Sequence, residues 1–257
     1  MNEIQLTPYY VASVSGGKDS LRMLGEIIKR PEMFPLNAIV HFELEIDYPF
    51  VKKVCNEYQK IADKLGIPFY RIKPNHTWVE LYLKYDMPTR WARWCNSKYK
   101  LDCARQLERW QKSLGNKVIY YIGFCADEAK RFKDDENIYP LAILNISEPE
   151  ILEEAKKIDL FDGYYKHFTR QGCMFCPMIS RKELAYIKIY YPNVFERYFE
   201  CVRAWERKYN SSYYGKQTTD SVLRLIDTKW IPKLLEEIYS ETYTECVESM
   251  GIDIRRV

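Results

Sequence analysis

Four short apolar runs constrain the fold of this chain more than anything else in it. They are "YYVASV" (Tyr9–Val14), "NAIVHFE" (Asn37–Glu43), "IPFYRI" (Ile67–Ile72) and "KVIYYIGF" (Lys117–Phe124). Each reads as a buried strand, and a stretch with helical periodicity separates each from the next. Leu21, Leu24, Ile27 and Ile28 share one helix face after the first run. Val51, Val54, Tyr58, Ile61 and Leu65 form a stripe after the second, stopped by Gly66. A helix from Cys95 to Leu114, ended by Gly115, precedes the fourth. Strands joined by helices cannot be hairpins, so these are βαβ units and the sheet is parallel. The predicted class is therefore α/β, a mostly parallel twisted sheet flanked by helices. "YPLAIL" (Tyr139–Leu144) adds a candidate last strand, and "SEPEILEEAKKI" opens on a capping serine. After about residue 165 the strand signal fades and helical patterns continue to the end. The expected organisation is an α/β nucleotide-binding domain over 1–165 and a helical extension over 166–257 packed on it.

Parallel sheets bind ligands beyond the C-terminal ends of their strands. The loop after the first strand is "SGGKDS", Ser15–Ser20. Gly16 and Gly17 free the backbone and allow close approach. The helix that follows offers unpaired N–H groups and a dipole that favours an anion. Lys18 and the hydroxyls of Ser15 and Ser20 add donors. The stretch reads as a phosphate cradle, with Lys18 and Asp19 as candidate catalytic groups. It lacks the Gly-x4-Gly-Lys-Ser/Thr spacing of the common P-loop.

After the fourth strand comes "GFCADEAKR". Asp127 and Glu128 are candidate Mg²⁺ ligands through water, and Arg131 could neutralise phosphate charge. A polar turn with local ion pairs would use the same residues. "QGCMFCP" carries Cys173 and Cys176, spaced to face one metal from a turn or to act as a redox pair. No second pair has that spacing, so a metal would recruit distant ligands: Cys95 first, then Cys125 or Cys103. Cys103 lies about two turns, roughly 12 Å, beyond Cys95. Cys55 and Cys201 fall in helical patterns and read as core residues.

The chain has 257 residues, 47% hydrophobic and 29% charged, enough for one large domain or two modest ones. It shows no apolar run of membrane-spanning length and no signal-peptide pattern, so a cytoplasmic location is expected, with no membrane partner. Eight cysteines in that compartment point to metal or redox chemistry before disulfides. Net charge is +3, yet Lys84–Lys112 alone holds eight Lys/Arg against three acids, interleaved with Trp91, Trp94, Tyr99 and Trp110. That segment suits a nucleic-acid acceptor or a phosphorylated small molecule. A solvated helix face with its tryptophans packed inward would read the same way.

"SGGKDS" after a strand, "RWCNSKYKL", "GFCADEAKR" and "QGCMFCP", in this order, resemble the phosphoadenosine phosphosulfate (PAPS) reductase family. That family belongs to the PP-loop, or ATP pyrophosphatase, class of adenine-nucleotide-binding proteins, whose fold resembles the adenine nucleotide alpha hydrolases. The likeness spans about residues 9–180. It implies that Ser15, Gly16, Gly17, Asp19 and Ser20 cradle a phosphate or sulfate, and that Glu43, ending the second strand, helps to hold the nucleotide. It also implies a [4Fe–4S] cluster on Cys95, Cys173 and Cys176, with zinc as the alternative metal.

Two departures rank the functions. Cluster-binding assimilatory reductases have adjacent cysteines where this chain has Trp94-Cys95. Their attacking thiol lies in a Glu-Cys-Gly-(Leu or Ile)-His motif, where this chain reads "TECVESMG". Cys246 sits instead in an amphipathic pattern amid five glutamates, which disfavour a thiolate. The first expectation is thus a PP-loop enzyme that uses ATP or a related nucleotide, with Mg²⁺, in sulfur transfer. A PAPS or adenylylsulfate reductase using Cys246 comes second, beside a non-catalytic nucleotide-binding regulator with structural zinc.

Overall fold

A computed structural model describes residues 6–132, 135–238 and 240. The chain divides into two compact units: residues 1–84 with 93–173, and residues 85–92 with 174–257.

The first unit is built on a four-stranded sheet: β1 (Thr7–Val14), β2 (Ala38–Phe42), β3 (Phe69–Ile72) and β4 (Asn116–Tyr121). The order is β3-β2-β1-β4 and every pair is parallel, with Val11 opposite Ala38 and Tyr120, and Ile39 opposite Phe69. Helix α1 (Lys18–Lys29) links β1 to β2, and α2 (Pro49–Leu65) links β2 to β3. Gly66, at φ 67°, closes α2 by returning its N–H to the last turn. After α3 (Trp78–Tyr85), a π-helical turn over Cys95–Lys100 leads into α4 (Leu101–Ser113) and so to β4. The single long helix expected from Cys95 is therefore two geometries in series.

Period-two alternation sends Val11, Ala38, Val40 and Tyr120 to one face, where Ala104 and Leu107 of α4 cover them. Their neighbours Ala12 and Ile39 are also fully buried, as are Met23 and Leu24 of α1 and Val54 and Tyr58 of α2. A sheet covered on both faces needs the near-continuous apolar runs from which it was read.

One sequence expectation is overturned. Tyr139–Leu144 is not a strand: Pro140–Ile143 forms the short helix α5, and only Ile138 makes a bridge, to Tyr121. Pro140 presets the helical φ at the first helical position and lacks the N–H a sheet interior requires. Helix α6 (Glu148–Ala155) follows, opened by Ser147 and Glu150 as a capping box, and α7 (Tyr164–His167) ends this part of the chain's regular structure.

The second unit is helical where described: α8 (Arg181–Tyr190), α9 (Pro192–Tyr209), and α10 (Thr219–Leu225) running into a π-helical turn, Ile226–Trp230. Ser180 caps α8 by accepting from the Glu183 N–H, and Glu183 returns the bond. Phe195, Tyr198, Phe199 and Val202 carry the buried stripe of α9. Among the described residues no helix is long and apolar enough to cross a membrane.

Candidate phosphate-binding site

Strand order reverses beside β1: β2 and β3 lie to one side and β4 to the other. A crevice opens at such a point, beyond the carboxyl ends of the two central strands. Ser15–Ser20 leaves β1 there, and residues 122–128 leave β4 there.

The loop turns at Gly16, whose φ of +79° suits glycine; an added Cβ would lie 2.7 Å from Val51 Cγ1. Ser20 holds the loop closed, its hydroxyl donating to the Gly17 carbonyl and accepting from the Ser15 N–H at 3.2 Å. Gly123 brings the β4 exit against it: a Cβ there would sit 3.1 Å from the Asp19 carbonyl and 3.2 Å from the Ser20 nitrogen. Because of that approach, the Cys125 thiol lies 3.8 Å from Asp19 Oδ1.

The N–H groups of Gly16, Gly17 and Asp19 have no hydrogen-bond partner among the described residues. The Lys18 N–H is engaged, donating at 3.0 Å to the Tyr165 hydroxyl. Unpaired donors at a helix start form the concavity expected of an anion site.

Charges at the site are arranged around Lys18. Its side chain is buried, 2% exposed, with the ammonium 2.7 Å from Asp19 and 3.0 Å from Glu148. Burial alone would lower its pKa; hydrogen bonds and charge from Asp19 and Glu148 outweigh that and raise it. Asp19 is raised by burial, against the pull of Lys18 and with the push of Glu148 and Glu128. Burial pushes the Cys125 thiol up to about 12, with Asp19 and Glu128 adding to it, so it is held as a neutral thiol.

Asp127 accepts from the Glu148 N–H at 3.1 Å, fixing the start of α6 against this turn. Glu128 accepts from the Cys125 N–H and pairs with Arg131, whose guanidinium lies 4.0 Å over the Phe124 ring. Four carboxylates thus gather here: Asp19 and Glu148 on Lys18, Glu128 on Arg131, and Asp127 on the Glu148 N–H.

Val51, which crowds Gly16, also lines a neighbouring cavity of about 210 Å³ with His41, Glu43, Asp47, Cys55 and Arg71. His41 Nδ1–H donates to the Val14 carbonyl at 2.9 Å, and burial lowers its pKa, leaving Nε2 an acceptor. Burial raises Asp47 to about 7. Glu43 lies 3.6 Å from Lys73 and follows β2, its N–H bonded to the Ile72 carbonyl.

The chain matches two uncharacterized proteins of Methanocaldococcus jannaschii. One is 23% identical over 212 residues, covering 78% of this chain and 42% of that protein. The other is 26% identical over 211 residues, covering 74% of this chain and 47% of that protein. The chain thus spans less than half the length of each of these relatives. No family model matches, and no solved structure matches significantly.

The structure gathers Ser15–Ser20, Cys125, Asp127, Glu128 and Arg131 around the loop and sets Glu43 in the adjoining cavity. The cysteines behave differently. Among the described residues no group of three or more His, Cys, Asp or Glu side chains is arranged to hold a metal ion. Cys95 starts the π-helical turn, Cys176 Sγ accepts from the Met178 N–H at 3.4 Å, and Cys125 is turned to Asp19. Cys95, Cys173 and Cys176, the ligands implied by the resemblance, and Cys125, the candidate fourth, form no such group among the described residues. Cys246 lies outside the described residues. Two contributors carried no sequence signal: Glu148, which reads only as part of a capped helix start, and Tyr165, which lies in no motif. Gln171, whose Oε1 accepts from the Tyr165 hydroxyl at 3.4 Å, opens "QGCMFCP" but does not read as a site residue there.

Proposed function

We propose that this chain is a PP-loop enzyme that binds ATP or a related adenine nucleotide and uses it to activate an acceptor for sulfur transfer. What carries the reading is one juxtaposition: unpaired N–H groups of a Gly-Gly turn at the β1–β4 switch point, with carboxylates from the β4 exit beside them. Terminal phosphates would sit on the Gly16, Gly17 and Asp19 amides, and the Tyr165 hydroxyl would yield the Lys18 N–H. Lys18 stays with Asp19 and Glu148, so it positions Asp19 and the helix start. Two cations against four carboxylates leave the crevice short of positive charge, which Mg²⁺ carried with the nucleotide would supply; Asp127 and Glu128 would hold it through water. The base end would enter the cavity beside Val51, where Glu43, Asp47 and His41 offer acceptors and Arg71 a donor.

In activation, an acceptor oxygen attacks the α-phosphorus and pyrophosphate leaves; a sulfur nucleophile then displaces AMP from the adenylylated acceptor. The sulfur step is supported by the family resemblance and by Cys173 and Cys176, and no step is assigned to a metal cluster.

Calorimetry with Mg-ATP tests the reading. Binding is expected, and it should vanish in Gly17→Leu, whose Cβ would start 3.1 Å from Gln171 Oε1 and 3.2 Å from the Tyr165 hydroxyl. Absence of binding by the wild-type chain, or unchanged affinity in a Gly17→Leu protein with native circular dichroism, would overturn it.

A further inference from the structure

The second unit displays a tryptophan that nothing in the nucleotide site uses. Trp91 is 95% exposed, at a turn where the Thr89 N–H donates to the Ala92 carbonyl and the Ala92 N–H to Thr89 Oγ1. The stem of the turn is held firmly. Asp86 accepts from Lys208 Nζ at 2.8 Å and from the Tyr209 hydroxyl at 2.6 Å. The Pro88 carbonyl accepts from the Tyr213 hydroxyl at 2.6 Å, and Met87 is buried. An indole exposed this far from a tethered turn is not a frayed loop end; the backbone is anchored to display it.

Chemistry narrows what it meets. Among the described residues, the large hydrophobic side chains exposed on this unit are all aromatic: Tyr85, Trp91, Tyr190 and Tyr209. A protein-docking hot spot wants an apolar collar that excludes water, and Trp91 has Arg90 and Ala92 beside it instead, both exposed. The elements that hold the turn also carry cations. Arg90, Arg207 and Lys216 are exposed and form no ion pair among the described residues. Tyr209 is 48% exposed, its ring centroid 4.9 Å from that of Trp205 with the planes tilted by 38°. An exposed indole next to Arg90, on a turn whose anchoring segment 207–216 carries further exposed cations, offers what a single-stranded nucleic acid requires: stacking for its bases, charge for its phosphates.

We propose that the Thr89–Ala92 turn is a stacking finger for single-stranded nucleic acid, Trp91 taking a base face and Arg90, Arg207 and Lys216 receiving backbone phosphates. This goes beyond nucleotide binding at the β1 loop, and the two can fail separately, since oligonucleotide and Mg-ATP titrations read different sites.

The test is fluorescence anisotropy of the full chain with fluorescein-labelled mixed-sequence 20-mers, as single-stranded DNA, single-stranded RNA and duplex. Single strands should bind more tightly than duplex. Trp91→Ala should weaken single-strand binding about tenfold, and Trp91→Phe should retain most of it. Arg90→Ala should reduce the slope of log affinity against log salt by about one. An absence of single-strand binding at low salt would overturn the proposal. So would a Trp91→Ala protein that binds like wild type, which would assign the indole to a protein partner.

Discussion

Lys18, where a loop enters α1, and Arg90, in a turn, are both cations, yet the protein treats them in opposite ways. Lys18 is 2% exposed and held between Asp19 and Glu148, whereas Arg90 is exposed and makes no ion pair among the described residues. The aromatic neighbours follow suit: Tyr165 bonds inward to the Lys18 N–H, and Trp91 points to solvent. A buried, fully partnered cation gains little more from a ligand and holds local geometry, which under the proposed function leaves the backbone amides to meet the phosphates. An exposed, unpartnered one keeps its whole charge for whatever arrives. The same residue types are thus packed and partnered in one unit and left to solvent in the other.

The largest expected effect breaks the first half of that contrast. Gly16→Val forces a β-branched residue to φ +79° and into Val51, so the loop or the start of α2 must move. A stability loss on the order of 3 kcal/mol is expected, read as a lowered urea midpoint. Trp91→Val, at the exposed tip, should leave the midpoint unchanged.

Asp47 sharpens the contrast through pH. Its carboxyl rises from 3.8 free to about 7 in the folded chain, mainly through burial. Between those values the folded state holds more protons than the unfolded one, so this group's contribution falls as pH rises from about 4 to 7 and is flat above. Urea midpoints for Asp47→Asn should depend less on pH over that window, with the variant gaining most relative to wild type near pH 8.

Glu148→Ala leaves the buried Lys18 ammonium with Asp19 alone. A loss of about 1–2 kcal/mol is expected, again by urea denaturation, and Glu148→Gln should recover part of it. A neutral result would mean that Asp19 suffices. The smallest effect lies in the second unit: Ser180→Ala removes the cap of α8, at a cost of about 1 kcal/mol.

The sheet was legible because strands buried on both faces must be written as apolar runs, and the glycine turn after β1 because Gly16 to Asp19 are consecutive in the chain. Legibility stopped where the partner is distant or the pattern ambiguous. Glu148 lies 130 residues from Lys18, and its local sequence advertises only a helix cap. Tyr139–Leu144 is apolar enough for a strand, and only the consequence of Pro140 at a first helical position turns it. The tryptophans of the basic segment read as one set, but tertiary packing divides them. Trp94 packs 4.8 Å from Trp78 inside the first unit, Trp110 meets the Tyr70 edge at 5.0 Å, and Trp91 is left outside. No periodicity distinguishes Trp91 from Trp94, three positions away.

The excursion of residues 85–92 into the second unit also sets an order of events during synthesis. Asp86 leaves the ribosome 122 residues ahead of Lys208, the side chain that will hold it. At about 5–20 residues per second, that interval is roughly 6–24 s. For that time the Trp91 turn is on the nascent chain without its anchors, while β3 precedes it and β4 follows within the first third of the interval, ready to pair. The first unit must therefore close its sheet around a segment that still waits for its own, and a chaperone that recognises exposed indole would meet it in that interval.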